Sequence, residues 1–321
     1  MADVQAKLSS FCRRVEEQIE QIVLQNFKNG KCTDPYAADK NPDRAWCDAA
    51  ELLAMFEKQN SFVYKVELLQ ALKAMEQQEI GYNILCVGYA LECFGSHFEK
   101  PITKAEVLKG ETLSKWLEKQ YARDSEWVAW GAGSDVDALG SAFYQNKKYF
   151  DAEPDLKTLF DWLNSAVNPA YGMWGSGENI LDMVNGFYRL TRGTYAQFNV
   201  DLPLPEKTID TVLAHAKILN TEQHITACNT LDIIHPLWLC KKQTDYRADE
   251  GKGFALTWIE EVLNNWTDNK GFSFMLHKHS EASMMGTEMW LSILYLLCDY
   301  AGLSHLLTFS PKGVHRLYTE I

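Results

Sequence analysis

Apolar residues along this chain fall into two kinds of segment that alternate. In the first kind they recur every three to four positions and leave a charged face. These segments are residues 6–28 ("AKLSSFCRRVEEQIEQIVLQNFK"), 61–77, 104–122, 155–167, 206–219 and 254–267. In the second kind the apolar residues cover nearly the whole circumference and include many small ones. These are residues 46–57, 81–95 ("GYNILCVGYALECFG"), 134–146, 178–191, 228–241 ("CNTLDIIHPLWLCK") and 286–301. The period is helical in both, and strand-like alternation is scarce, so the pattern predicts an all-α chain. A helix with one polar face lies at a surface, and one that is apolar all round is buried on all sides. Six wet helices and six dry ones in strict alternation predict six helical hairpins, with the dry helices inside and the wet helices outside.

A short repeat supports that arrangement. Residues 130–144 read "WGAGSDVDALGSAFY" and residues 174–188 read "WGSGENILDMVNGFY". Both place Trp-Gly-x-Gly ahead of a dry segment and Phe-Tyr at the same later offset. Glycine permits a sharp turn into each inner helix, so Trp130 and Trp174 are expected at a rim. The alternation and the glycine–aromatic turn together resemble the (α/α)6 toroids. That superfamily includes the six-hairpin glycosidases, several polysaccharide lyases, the sugar 2-epimerases, and the terpenoid cyclase and protein prenyltransferase barrels. The resemblance implies one toroidal domain over residues 1–321, with an inner and an outer ring of helices around a central cavity.

Composition narrows the functional classes. The chain is 46% hydrophobic and 23% charged, a globular balance. It has no apolar run long enough for a membrane span. The formal net charge is -12, and no basic run exceeds a dipeptide, which argues against nucleic acid as a partner. The first 25 residues have polar residues throughout and hold no apolar stretch of the secretory kind, so a cytoplasmic location is expected. Cys86, Cys93, Cys240 and Cys298 sit in apolar helical runs, and no Cys-x-x-Cys pair occurs, so free thiols are expected.

Candidate chemistry lies at the starts of the dry segments. The polar residues there are Asp48, Tyr82, Asn83, Asp135, Asp137, Glu178, Asn179, Asp182, Asn229, Asp232, His235 and Glu288. Polar groups on such helices cost free energy unless paired or used, and several carboxylates around one cavity suit acid–base catalysis. Ser134 and Asp137 have capping-box spacing, Asp135 suits the positive end of a helix dipole, and Asn229 suits a cap. Asp182 lies a turn deeper. His235 precedes Pro236, which predicts a local break in its helix. The longest irregular segment, 268–287, carries His277 and His279 and has the length of a binding loop.

Asp135, Asp182, Asp232 and His235 are therefore the candidate catalytic residues. Trp130, Trp174, Tyr82, Glu178, Asn179, Asn229, His277 and Glu288 are the candidate substrate contacts. Asp135 and Asp182 are expected to face one cavity. The resemblance implies an enzyme acting on a small saccharide, as a hydrolase or a lyase. A terpenoid-cyclase-like enzyme is the alternative, because "SDVD" resembles in part the aspartate acid motif of those cyclases. A small-molecule substrate is expected, without cofactor or metal. The oligomeric state is open.

Overall fold

The computed structural model describes residues 2–76, 78–219 and 225–317. Among the described residues the regular structure is helical apart from one small hairpin, β1 (Phe27–Lys28) and β2 (Lys31–Cys32), and isolated bridges. In chain order the helices are α1 (Ala2–Leu24), α2 (Pro42–Met55), α3 (Lys65–Ala74), α4 (Tyr82–Glu92), α5 (Thr103–Glu106), α6 (Gly110–Tyr121), α7 (Val128–Phe150), α8 (Leu156–Ala166), α9 (Ile180–Thr191), α10 (Pro205–Leu219), α11 (Ala227–Lys241), α12 (Ala248–Asn264) and α13 (Met284–Ala301). No helix among the described residues is long and apolar enough to cross a membrane.

Burial follows the two kinds of apolar pattern. On α8 only Leu159 and Leu163 are buried, and on α3 only Leu68 and Leu72. That i, i+4 spacing is a single stripe on an otherwise wet helix. On α2, α11 and α13 the buried residues run almost without interruption. The apolar helices pack in sequence: α2 on α4, α4 on α7, α7 on α9, α9 on α11, α11 on α13, and α13 on α2. The polar-faced helices lie against them. For example, α6 packs on α7, α10 on α9 and α11, α12 on α13, and α1 on α2.

Local chemistry sets the helix ends. Asn41 caps α2 by accepting from the Asp43 N–H at 3.0 Å, with Pro42 in the first position. Such a proline loses nothing, because its missing donor would have no partner there. Ser283 caps α13 at the Gly286 N–H, 2.9 Å away, so the helix begins inside the segment read as a loop to residue 287.

Two further boundaries correct the sequence reading. The first Trp-Gly-x-Gly is not a turn, because α7 begins at Val128 and Gly131 and Gly133 lie within it. Ser134 and Asp137 are therefore interior residues and form no capping box. Only the second copy turns, with Gly175 at φ 136° and Gly177 at φ 90°. The first copy is helical because Gly133 lets α7 lie directly on α9, where a side chain would overlap the Gly186 carbonyl. Nor does α11 break at Pro236; it runs on to Lys241. Packing on nearly every side outweighs the ladder hydrogen bond that proline cannot donate to the Asp232 carbonyl.

Candidate functional site

A buried polar cluster lies among the apolar helices, and most of it comes from residues the sequence reading underrated. On α2, Asp48 and Glu51 are one turn apart and both buried. Arg44, a turn earlier on the same face, donates from Nε to Asp48 Oδ1 at 3.1 Å and also reaches Tyr82 on α4. Glu288 on α13 is fully buried. Its carboxylate takes the Ser292 hydroxyl at 2.9 Å and lies 2.8 and 2.7 Å from Nδ1 of His315. Oxygens of Glu51 and Glu288 and a His315 nitrogen all fall within 4.8 Å of one another.

His315 comes from the segment after α13, which runs back into the core. Gly313, at φ 64°, seats the backbone on the Glu51 carboxyl, and Val314 N–H donates to Glu51 Oε1 at 3.2 Å. The positive φ and the close approach both require glycine here. Arg316 stacks its guanidinium over Tyr89 and Tyr144, 4.0 and 4.5 Å from the ring centroids, and pairs with Glu92. A cavity of about 350 Å³ opens beside this segment, lined by Tyr89, Glu92, Lys148, Tyr149, Lys312 and Arg316 among others. Its lining includes neither Asp232 nor His235, so the chemistry is better located by the buried titratable groups than by this opening.

On the opposite side, Asp137 of α7 is fully buried against Arg192, which follows α9 and donates from Nε to Asp137 Oδ2 at 3.1 Å. Arg192 also reaches the Tyr188 hydroxyl at 3.2 Å. The Tyr188 ring meets His235 edge-on at 4.9 Å and stacks on His315 at 6.4 Å, which joins the two sides. Asp232 and His235 are buried one turn apart on α11, and His235 Nδ1 has no protein partner.

Burial governs protonation here. It pushes Asp48 up to about 8 despite the pull of Arg44. It also raises Asp232 well above the carboxylate range against Arg189 and Arg192. Burial, with Arg192 and Lys242, drags His235 down to about 3, so its imidazole is neutral. Burial raises Glu51 as well, helped by Glu288 and Asp48. For Glu288 burial is outweighed by the His315 contact, which holds the carboxyl below its usual value. His315 is itself drawn down by burial. A neutral Nδ1–H donating to an ionised Glu288 satisfies both directions.

Asp48 gives a pH test. Its native value lies above that of an unfolded aspartate, so the native state binds more protons between the two values. Stability from this group is complete below about pH 4 and is lost as pH rises to about 8. Urea titrations across that range should show a shallower decline for Asp48→Asn than for the native chain. Parallel slopes would refute the assignment.

The remaining candidates are placed elsewhere. Asp135 pairs with Arg123 and lines a shallow outer groove with Trp116 and Lys119. Asp182 accepts the Ala129 and Trp130 N–H groups at 2.9 and 2.8 Å, capping α7 from α9. The structure does not bring these two aspartates to a common cavity. Trp130 is 41% exposed with Arg189 over its ring at 4.6 Å, whereas Trp174 is 2% exposed. Trp174 is no rim residue: its indole N–H donates to the Leu163 carbonyl at 2.8 Å, and its ring stacks on Phe187. Asn179 caps α9 at the Asp182 N–H, and Glu178 is exposed beside it. Asn229 is capped rather than capping, since Thr226 accepts its N–H at 3.2 Å. His277 is at the surface near Asn265 and Glu261, and His279 lies beside Thr267. Tyr82, Asp232, His235 and Glu288 belong to the buried cluster or its edge. All eight cysteines are unpaired.

No family model, no curated protein and no solved structure matches this chain.

Proposed function

We propose that the chain is a single (α/α)6 toroid of six helical hairpins and an enzyme that performs acid–base chemistry on a small saccharide at its centre. The contact order from α2 through α13 and back to α2 supports the ring. The observation that carries the chemistry is the pair on α11. Asp232 and His235 are buried on one helical face, and His235 leaves Nδ1 without a protein partner. Asp232, held protonated by burial, is the proton donor. Arg189 and Arg192 offset the charge it acquires on giving the proton up. Neutral His235 accepts a hydrogen bond from the substrate and holds it against Asp232. Charged and hydrogen-bonding side chains suit a ligand made of hydroxyl groups better than a hydrocarbon. That favours the saccharide reading over the isoprenoid one.

The test is a panel of neutral and uronic-acid oligosaccharides, with reducing-end release read for hydrolysis and ultraviolet absorbance read for elimination. Asp232→Asn keeps shape but removes the transferable proton. It is expected to lower turnover roughly a hundredfold or more, with an unchanged melting temperature. Full activity in Asp232→Asn, or no turnover of any panel member by the native chain, would overturn the reading.

A further inference from the structure

We infer that Glu51, Glu288 and His315 form a binding site for one divalent transition cation, which fastens the C-terminal segment to the helical core. The three donor atoms already lie within 4.8 Å of one another, and all three residues are buried. A tetrahedral ion bonded at roughly 2.0–2.2 Å to each would hold its ligand atoms about 3.4–3.6 Å apart, so a pair at the 4.8 Å limit must close by roughly 1 Å on binding. The donors come from three places far apart in sequence: α2, α13 and the segment after α13. No local helix propensity explains their meeting.

Charge supplies the second reason. With both carboxylates ionised the group would carry two minus charges in a dry interior, which is why burial and Glu288 raise Glu51 toward its neutral form. Arg44, whose charge reaches both carboxylates, is already engaged by Asp48 at 3.1 Å and by Asp39 at 3.6 Å. A divalent ion would cancel that charge. Asp48 adds an independent sign. It sits one turn before Glu51 on the same face of α2, nine-tenths buried or more, and its Oδ2 has no partner. Its charge is also felt by Glu288 and Glu51. That oxygen lies outside the three-donor group, and a water bound to the ion would give it the partner it lacks.

The donor set selects the ion. Carboxylate oxygens with one imidazole suit zinc, manganese or ferrous iron, whereas calcium and magnesium favour all-oxygen shells with more ligands or water. His315 is the one donor outside the inner helices. Binding is therefore coupled to docking of residues 313–317, whose other anchors are the Val314–Glu51 hydrogen bond and the Arg316–Glu92 pair. The inference stands apart from the saccharide reading, because its test uses the metal alone.

The full chain is stripped with a chelator and titrated with zinc and with manganese by calorimetry. The native chain is expected to bind one equivalent. Glu288→Gln, Glu51→Gln and His315→Ala should each weaken binding at least about tenfold. His277→Ala/His279→Ala, which removes two exposed histidines, should leave that equivalent intact. Hydrogen exchange on the native chain alone keeps the test independent of how the variants fold: metal should slow exchange at residues 313–317, and chelation should restore it. Three results would overturn the proposal. They are no stoichiometric binding by the native chain, binding that survives in His315→Ala but is lost in His277→Ala/His279→Ala, and exchange at residues 313–317 that is indifferent to metal.

Discussion

Asp137→Ala is expected to destabilise the protein by roughly 3–5 kcal/mol, read as a large drop in the urea midpoint. Asp137 is fully buried, and its carboxylate is the ion-pair partner of the nearly buried Arg192. Deleting it leaves a guanidinium in a dry interior with only the Tyr188 hydroxyl, 3.2 Å away, as a remaining acceptor. Arginine cannot shed its charge there, since its proton is held far above any accessible pH. Arg192→Ala should cost less. The orphaned Asp137 can take up a proton, a change that burial already favours. The ordering Asp137→Ala worse than Arg192→Ala is the discriminating result, and equal losses would mean that packing rather than charge dominates. Replacing both residues with apolar side chains of similar size should recover much of the loss, because a buried pair contributes little beyond what a well-packed apolar contact supplies.

The helices were legible because burial writes a period into the sequence. The single stripe of Leu159 and Leu163 on α8 and the continuous burial of α11 are both visible as spacing. The site was much less legible. Asp135 and Asp182 stand at matching places near repeated motifs, and repetition reports scaffold. Asp182 spends both oxygens on the N–H groups at the start of α7, a use no local pattern discloses. Glu51 carried a readable signal, a second carboxylate one turn after Asp48 inside the apolar "CDAAELLAM", where an unpaired charge is costly. His315 carried none. Its importance depends on a segment that leaves α13 and re-enters the core, and Gly313 is the only local hint of that path. Arg192 was hidden because it lies just past the end of α9, in a π-helical turn from Arg192 to Ala196.

The two glycines of the first Trp-Gly-x-Gly are expected to respond to alanine with opposite signs. At Gly131 the added methyl group would meet only the end of the Arg123 side chain, at 3.5 Å, which is ordinary contact. The position is helical and partly exposed, so Gly131→Ala should stabilise by roughly 0.5–1 kcal/mol through reduced unfolded-state freedom and better helix propensity. At Gly133 the same methyl group would overlap the Gly186 carbonyl oxygen, which belongs to backbone and cannot rotate away. Helices α7 and α9 would have to separate. Gly140 opposite Gly193 makes the same close approach two turns further along, so the strain could not be relieved by a small tilt. Separation would also pull the α7 N-terminus from the Asp182 carboxylate. Gly133→Ala should therefore cost about 3 kcal/mol or more, at the upper end for overpacked cores. Thermal and urea unfolding of the two single variants decide the matter. If both glycines tolerate alanine, the close packing of α7 on α9 is wrong; if both are destabilising, the first motif is a turn after all and not the second turn of a helix.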